Sequence, residues 1–166
     1  VTAAQVLAEA ALYEGKFAVA IPFFGAERRG APVFSFNKIS NKPIRSRGSV
    51  KNPDIVVVLD PKIPSILNVE EGVKEDSVII INSRKPVKFS VKKVAYVDAT
   101  GIALELGLKL AGLALVNMPM LGALIGATRL VKLESVGKAI KKRWREDIAE
   151  LNYKAVEKAM EMVRIL

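Results

Sequence analysis

The chain has 166 residues, of which 51% are apolar and 26% charged, a size and balance typical of one folded domain with a real core. It contains no cysteine and no histidine, which excludes disulfides, thiolate metal ligands, a thiol nucleophile and a Ser-His-Asp triad. Chemistry supplied by a partner is therefore the simplest interpretation. The formal net charge of +9 indicates an anionic partner, and leaves nucleic acid, a phosphorylated ligand and an acidic protein surface open.

The N-terminal part of the chain predicts a helix, a strand and a hairpin. The segment from Thr2 to Glu14 is rich in helix formers, and the Gly15 that follows is a residue that commonly ends helices. Residues 16–21 have the apolar character of a strand. Segments 33–36 and 44–47 flank a turn-forming Ser-Asn-Lys-Pro sequence and predict a β-hairpin.

From residue 54 onward the pattern is that of a parallel sheet. Four apolar runs each end at a polar residue: 55–59 before Asp60, 78–81 before Asn82, 94–97 before Asp98 and 113–116 before Asn117. Continuous runs of branched residues are typical of strands covered on both faces. Helical patterns lie between or after them, at residues 100–107, 118–130, 134–144 and 148–163. The sequence thus predicts an α/β fold: a single Rossmann-like three-layer domain, residues 1–166, with a mainly parallel sheet plus an N-terminal β-hairpin.

The four polar residues at the strand ends are expected on one edge of this sheet, where open α/β folds bind their ligands. The alternative is that each caps the following helix or ends its strand, and for Asp98 and Asn117 capping has at least equal weight. The uncharged run 110–127 predicts a buried strand and helix, with a membrane span as a remote alternative. No signal peptide precedes the first helix, so a cytoplasmic location is expected.

The loop after the first predicted strand is the least ordinary part of the sequence. Gly25 and Gly30 bracket Glu27, Arg28 and Arg29, which permits tight backbone geometry and close approach of another molecule. Paired arginines suit recognition of phosphate or carboxylate, because a guanidinium presents a planar bidentate fork. As a generic pattern this is weak, since surface loops often contain such residues.

This loop and several later motifs resemble the gamma subunits of pyruvate and related 2-oxoacid:ferredoxin oxidoreductases. The motifs are, in chain order, Pro22–Pro32, Lys42–Arg45, Asn52–Asp54 with Asp60–Pro61, Ile79–Asn82, Asp98–Thr100, Asn117–Ala123 and Thr128–Glu134. The resemblance covers essentially the whole chain. One family feature, a strand ending in a Gly-Arg-Gly-Gly-Gln-Gly segment before the first helix, is expected to be missing here.

The resemblance implies a non-catalytic subunit of a complex that oxidatively decarboxylates pyruvate with coenzyme A (CoA) to acetyl-CoA, carbon dioxide and reduced ferredoxin. A branched-chain 2-oxoacid, 2-oxoisovalerate, is the alternative substrate. It also implies that thiamine diphosphate, Mg²⁺ and iron–sulfur clusters are held by other subunits, in agreement with the lack of cysteine. The implied partners are alpha, beta and delta subunits, with ferredoxin as electron acceptor and neither nucleic acid nor a membrane.

The resemblance also places the gamma subunit at the active-site entrance and associates it with CoA binding. The residues expected to bind cofactor there are Arg28, Arg29, Gly25, Gly30, Asn117 and Met120. Glu27 would orient the arginines or pair across an interface, and an internal ion pair with Arg29 is a nearly equal alternative. For Met118 and Met120, core packing is the favoured alternative.

Two other classes of function stay open. A basic nucleic-acid-binding module would need aromatic residues among the cations to stack on bases. Phe34 and Phe36 lie beside the basic loop, but their spacing of two on a strand is more simply explained if both side chains face a core. A stand-alone nucleotide-binding enzyme is the other class, and the absence of a glycine-rich loop and of histidine from this sequence counts against it. A subunit should instead expose a substantial apolar patch rimmed by basic residues.

Overall fold

The computed structural model describes residues 1–23 and 31–166. Its helices are α1 (Thr2–Tyr13), α2 (Ala99–Glu105), α3 (Asn117–Thr128), α4 (Leu133–Arg143) and α5 (Glu146–Met162), with one 3₁₀ turn at Ile63–Ser65. Its strands are β1 (Phe17–Phe23), β2 (Phe34–Ser40), β3 (Ile55–Val58), β4 (Val78–Asn82), β5 (Lys93–Val97), β6 (Lys109–Leu110), β7 (Leu113–Ala114) and β8 (Arg164–Ile165).

The central sheet is mainly parallel, as the apolar runs predict. Its strand order is β3-β4-β5-β8, in which β3, β4 and β5 run parallel and β8 pairs antiparallel with β5. Strand β4 is the most buried, because it has a neighbour on each side and its three isoleucines, residues 79–81, are covered on both faces. The mixed α/β fold with a mainly parallel sheet is confirmed.

The two faces of the sheet are covered differently. All five helices contribute to a large core on one face, where Ile80, Ala95 and Val97 of the sheet meet them. The other face packs a smaller core around Ile79, Ile81 and Val94, covered by the 3₁₀ turn and by irregular segments from the chain between the strands. The third layer therefore consists of loops and a short turn, whereas the helices share one side.

The N-terminal strands form a two-stranded antiparallel ribbon, β1 with β2, separate from the central sheet. Gly15 has a φ of +76°, a left-handed conformation that favours glycine, and it turns the chain from α1 into β1. The hairpin is thus present, but its predicted partners were wrong. Segment 33–36 pairs with β1 and extends to residue 40, while residues 44–47 lie outside the strands.

The prediction of a fourth strand of the parallel sheet at residues 113–116 is also wrong. Leu113 and Ala114 instead form a small antiparallel pair with β6. The turn that connects β6 to β7 has Ala111 and Gly112 at positive φ. The side chain of Leu113 is 73% exposed. The chain here leaves the sheet and makes a short hairpin that points apolar side chains outward.

Among the described residues, no helix is both long and apolar enough to cross a membrane. The uncharged run that raised this alternative is divided between the β6–β7 hairpin and helix α3, which is buried along most of its length.

Candidate functional site

Asn82 lies at the carboxyl end of β4 and joins the segments that follow three strands. Its side-chain amide donates to the carbonyl oxygen of Leu59 and to Oγ1 of Thr100, both at 2.9 Å. Its side-chain oxygen accepts the backbone N–H of Ala99 at 3.0 Å. The side chain is buried, and these bonds use its donors and acceptor internally.

The other polar residues at this edge also serve the backbone. Asp98 caps α2 by accepting the N–H of Gly101 at 2.9 Å, and its other oxygen lies 3.2 Å from Nε of Arg84. Asp60 accepts the N–H of Lys62 at 2.9 Å in a local turn. In this structure Asp60, Asn82 and Asp98 thus end strands or cap the backbone that follows, which is the alternative to ligand binding.

Asn117 does not follow a strand of the parallel sheet. It begins helix α3, is partly exposed, and its side-chain oxygen accepts the N–H of Met118 at 3.0 Å. Met118 and Met120 are buried in the main core, with Met120 only 1% exposed. Core packing, the favoured alternative, is confirmed for both methionines. Met120 consequently offers no surface to a cofactor, whereas a ligand role for Asn117 stays a prediction.

The predicted arginine loop falls outside the described residues. Gly25, Glu27, Arg28, Arg29 and Gly30 all belong to residues 24–30. The described residues on either side are Phe23, which ends β1, and Ala31, which lies shortly before β2. Their expected roles remain predictions.

The β1–β2 ribbon has two chemically different faces. One face carries Ala18 and Ile39, which pack on the main core, and Asn37, whose amide donates to the carbonyl oxygen of Ala4 in α1 at 2.8 Å. Strand alternation places every second residue of each strand, beginning with Phe17 and Phe34, on the opposite face, which we call the outer ribbon face. It consists of Phe17, Val19, Ile21, Phe23, Phe34, Phe36, Lys38 and Ser40.

Aromatic side chains dominate the outer ribbon face. The rings of Phe34 and Phe36 stack with centroids 6.4 Å apart, and Phe23 meets Phe34 edge-on at 6.5 Å. Phe23 is 51% exposed and Phe34 43% exposed. The expectation that Phe34 and Phe36 face a core is therefore wrong. The face instead provides the exposed apolar patch that a subunit was expected to have.

Cationic residues continue from one end of this face into the segment after β2. Nζ of Lys38 donates to Oγ of Ser46 at 3.0 Å, which holds the segment after β2 beside the ribbon. Residues 31–53 carry five cations and no carboxylate: Lys38, Lys42, Arg45, Arg47 and Lys51. Of these, Lys42, Arg45, Arg47 and Lys51 are exposed.

An open groove of about 400 Å³ lies between β2 and residues 49–54. Its polar groups are largely engaged: Asn52 donates to the carbonyl oxygen of Gly72 at 3.2 Å, and Asp54 pairs with Lys74. The hydrogen bond with Asp54, and then its negative charge, raise the pKa of Lys74. The groove is therefore a weak candidate for a ligand site.

Across residues 1–23 and 31–166, no three acidic side chains come together in a way that would hold a metal ion. The chain also lacks the cysteines that iron–sulfur clusters require. The described residues thus do not fit Mg²⁺ or an iron–sulfur cluster, and we derive no chemical step on this chain.

Comparison with known proteins identifies the family. The family model for pyruvate ferredoxin/flavodoxin oxidoreductase matches residues 1–162. The chain belongs to this family.

Individual relatives agree. The chain is 48% identical to the pyruvate/ketoisovalerate oxidoreductases common subunit gamma of Pyrococcus abyssi, over 99% of this chain and 91% of that one. It is 45% identical to pyruvate synthase subunit PorC of Methanothermobacter thermautotrophicus, over 100% and 90% of the two chains. The crystal structure of pyruvate oxidoreductase subunit PORC from Thermotoga maritima matches with a TM-score of 0.83 and 36% identity, covering 99% of this chain and 89% of that one.

Family membership decides between the classes of function that the residues left open. It confirms the resemblance seen in the motifs and favours an oxidoreductase subunit over a nucleic-acid-binding module or a stand-alone nucleotide-binding enzyme.

The outer ribbon face was not predicted from the sequence. The signal was present, since large apolar side chains stand at every second position of residues 17–23 and 34–36, with alanine or proline between them in the first segment and serine in the second. The pattern indicates one apolar face, but it cannot say whether that face meets a core or a partner.

Proposed function

We propose that this chain is the gamma subunit of a pyruvate:ferredoxin oxidoreductase and has no catalytic centre of its own. The observation that carries the proposal is the near-full-length similarity to subunits named gamma or PorC of such enzymes. The absence of cysteine and histidine supports it, because redox and acid–base chemistry must then come from other chains.

The complex would convert pyruvate and CoA to acetyl-CoA and carbon dioxide and pass the electrons to ferredoxin. Thiamine diphosphate, Mg²⁺ and iron–sulfur clusters would be held by alpha, beta and delta subunits. We place the complex in the cytoplasm.

The contribution of this chain would lie at the entrance to the active site. Arg28 and Arg29 would contact the phosphates of CoA or a neighbouring subunit, with Gly25 and Gly30 permitting close approach and Glu27 orienting the arginines. Two adjacent guanidinium groups supply the bidentate hydrogen bonds that phosphate oxygens accept. Asn117 would lie near the same entrance.

A second substrate has a specific observation in its favour. The relatives from Pyrococcus are named as a gamma subunit common to pyruvate and ketoisovalerate oxidoreductases. The alternative proposal is accordingly that this chain serves a branched-chain 2-oxoacid enzyme, either instead of the pyruvate enzyme or as well as it. Substrate choice would then rest with the other subunits.

Purification of the tagged full-length chain from its source tests the assignment. We expect other oxidoreductase subunits to co-purify, together with dye reduction that requires both CoA and a 2-oxoacid. Rates with pyruvate and with 2-oxoisovalerate then separate the two substrates. Recovery of the chain alone, or with nucleic acid, would refute the proposal.

The arginine loop is tested by the double variant Arg28→Ala with Arg29→Ala in the complete complex. We expect the KM for CoA to rise or subunit recovery to fall by about tenfold, as loss of charge-assisted hydrogen bonds predicts. The matched control is Lys138→Ala with Lys141→Ala, which removes two exposed cations from α4. Equal kinetics and equal assembly in both double variants would count against a role for the loop.

A further inference from the structure

The outer ribbon face has no cover within the described part of the chain. Helix α1 and the main core take the opposite face of the ribbon, through Ala18, Ile39 and the hydrogen bond from Asn37 to Ala4. The outer face belongs to neither of the two cores. Six of its eight positions are apolar and four of these are phenylalanine: Phe17, Val19, Ile21, Phe23, Phe34 and Phe36.

Such a face is costly to leave in water. Exposed apolar area is worth about 25 cal/mol per Å² when it is buried, and contiguous exposed apolar patches mark interaction sites on soluble proteins. Large aromatic side chains are also the residues that most often dominate interface energetics. The packed arrangement of Phe23, Phe34 and Phe36 gives a partner a preformed surface with little side-chain entropy to lose.

The positive charge at one end of the face limits what binds there. All the charged residues in segment 31–53 are cations. Lys38 lies near one end of the ribbon and its hydrogen bond to Ser46 holds the following segment beside it, so part of the positive charge lies at that end. A second copy of the chain would bring a like-charged border to the same contact, which is unfavourable. A partner with an apolar centre and acidic residues at its border is complementary in both respects.

We propose that the outer ribbon face is the docking surface for another subunit of the oxidoreductase, and that this subunit presents an apolar patch bordered by carboxylates. The inference rests on the proposed function, since it requires that the chain works inside a complex. It adds which surface makes the contact and what chemistry the partner shows there.

Site-specific labelling tests the contact directly, because the chain has no cysteine of its own. Phe17→Cys in the full-length chain introduces a single thiol on the outer ribbon face, and Ile66→Cys introduces a control thiol at a residue that is 63% exposed in the loop after the 3₁₀ turn. We expect a fluorescent maleimide to label both free variants. In the assembled complex, with subunits separated on a gel, labelling of Phe17→Cys should fall at least about tenfold while labelling of Ile66→Cys persists.

A binding variant tests the energetics. Phe34→Thr removes an aromatic ring but keeps a residue that favours strands, and we expect it to weaken binding to the other subunits about tenfold. Ile66→Ser, which also removes an exposed apolar side chain, should bind like the native chain. The circular dichroism spectrum and Tm of each free variant report whether it folds, and the labelling experiment does not depend on Phe34→Thr.

The outcomes separate the possible errors. If the native chain recovers no oxidoreductase subunit, the proposed function fails. If it does, but Phe17→Cys stays reactive in the complex and Phe34→Thr binds normally, only the docking surface is wrong. Protection of Phe17→Cys in the free chain at every concentration would mean that another segment of the same chain covers the face. Protection that disappears on dilution would mean a second copy does, and either result would overturn the inference.

Discussion

Glu14 shows how one side chain links two helices at the residue scale. It is the last residue of the α1 region, and its carboxylate accepts the backbone N–H of Lys132 at the start of α4, at 2.8 Å. Nζ of Lys16 lies 3.6 Å from Oε1 of the same carboxylate. Partial burial raises the pKa of Glu14, but hydrogen bonds from Lys132 and Ser135, with the charges of Lys16 and Lys132, lower it overall below its ordinary value of 4.5.

The lowered pKa of Glu14 predicts a pH-dependent contribution to stability. Because the pKa is lower in the folded than in the unfolded chain, the stabilisation is complete above the unfolded-state pKa and is lost as pH falls through the folded-state pKa. We expect Glu14→Gln to reduce the free energy of unfolding by about 1 kcal/mol at pH 7, since a charge-assisted hydrogen bond becomes a neutral one. Below pH 4.5 the difference from the native chain should shrink.

Urea unfolding of both proteins at pH 7 and in acid measures this difference. Glu71→Gln, at an exposed glutamate, is the control and should stay within about 0.5 kcal/mol of the native chain. A Glu14→Gln deficit of the same size at both pH values would show that the carboxylate charge plays no part.

Single residues were predicted unevenly from sequence. The polar residues at the strand ends were found because parallel strands end at a common edge, and the capping role of Asp98 followed from its place before a helix. The network around Asn82 was not predicted, because its partners Leu59, Ala99 and Thr100 are brought together only by the strand register.

At the scale of elements, helices α3 and α5 pack unusually closely at two glycines. A Cβ atom at Gly122 would lie 2.2 Å from the carbonyl oxygen of Val156, and one at Gly126 would lie 2.8 Å from that of Met160. The glycines are four residues apart, so they share one face of α3. Their lack of a side chain allows the backbones of the two helices to approach.

This packing predicts that Gly122→Ala destabilises the fold by about 2 kcal/mol. Alanine gains up to about 1 kcal/mol of helix propensity, but overpacking against a fixed backbone costs about 1–3 kcal/mol or more. Gly137→Ala in α4 is the matched control, because its Cβ would meet the ring of Tyr153 at 2.9 Å and a ring can rotate away. Chemical denaturation of both variants should place Gly122→Ala well below Gly137→Ala, and equal stabilities would contradict the close-packing argument.

Elements with local signals were predicted well, and those that depend on pairing were not. Helices α1, α4 and α5 and strands β3 to β5 follow from periodicity and lie close to their predicted bounds. The partner of β2 was wrong because segment 44–47 has strand-like residues, and only the tertiary fold shows that β1 pairs there instead. The run at residues 113–116 is as apolar as a buried strand, but the turn at Ala111 and Gly112 folds it back on residues 109–110.

For the whole molecule, the family was predictable because its motifs occur in order along nearly the entire chain, and the family match confirms it. The candidate site was less predictable. Its arginine loop lies at residues 24–30, outside the described ranges, while the outer ribbon face became visible only once the pairing of β1 with β2 was known. Composition indicates an anionic partner, but it does not say which surface carries the relevant charge.

The net charge of +9 predicts electrostatically steered assembly. Positive charge near a contact surface speeds encounter with an acidic partner, and salt screens it over a distance of about 10 Å at 0.1 M. We expect the association rate constant of the full-length chain with the remaining subunits to fall about tenfold between low salt and 0.5 M ionic strength.

The position of the charge should matter more than its sum. Lys42→Glu and Lys154→Glu change the net charge equally, but Lys42 follows β2 at the end of the ribbon, whereas Lys154 lies on α5 and pairs with Glu150 at 3.2 Å. If the outer ribbon face is the contact, Lys42→Glu should slow association several times more than Lys154→Glu at low salt, because only charges within about a Debye length act strongly. Stopped-flow measurement across a salt series tests this, and the two variants should converge at high salt. Equal slowing by both variants would mean that the total charge, and not the cationic segment after β2, guides assembly.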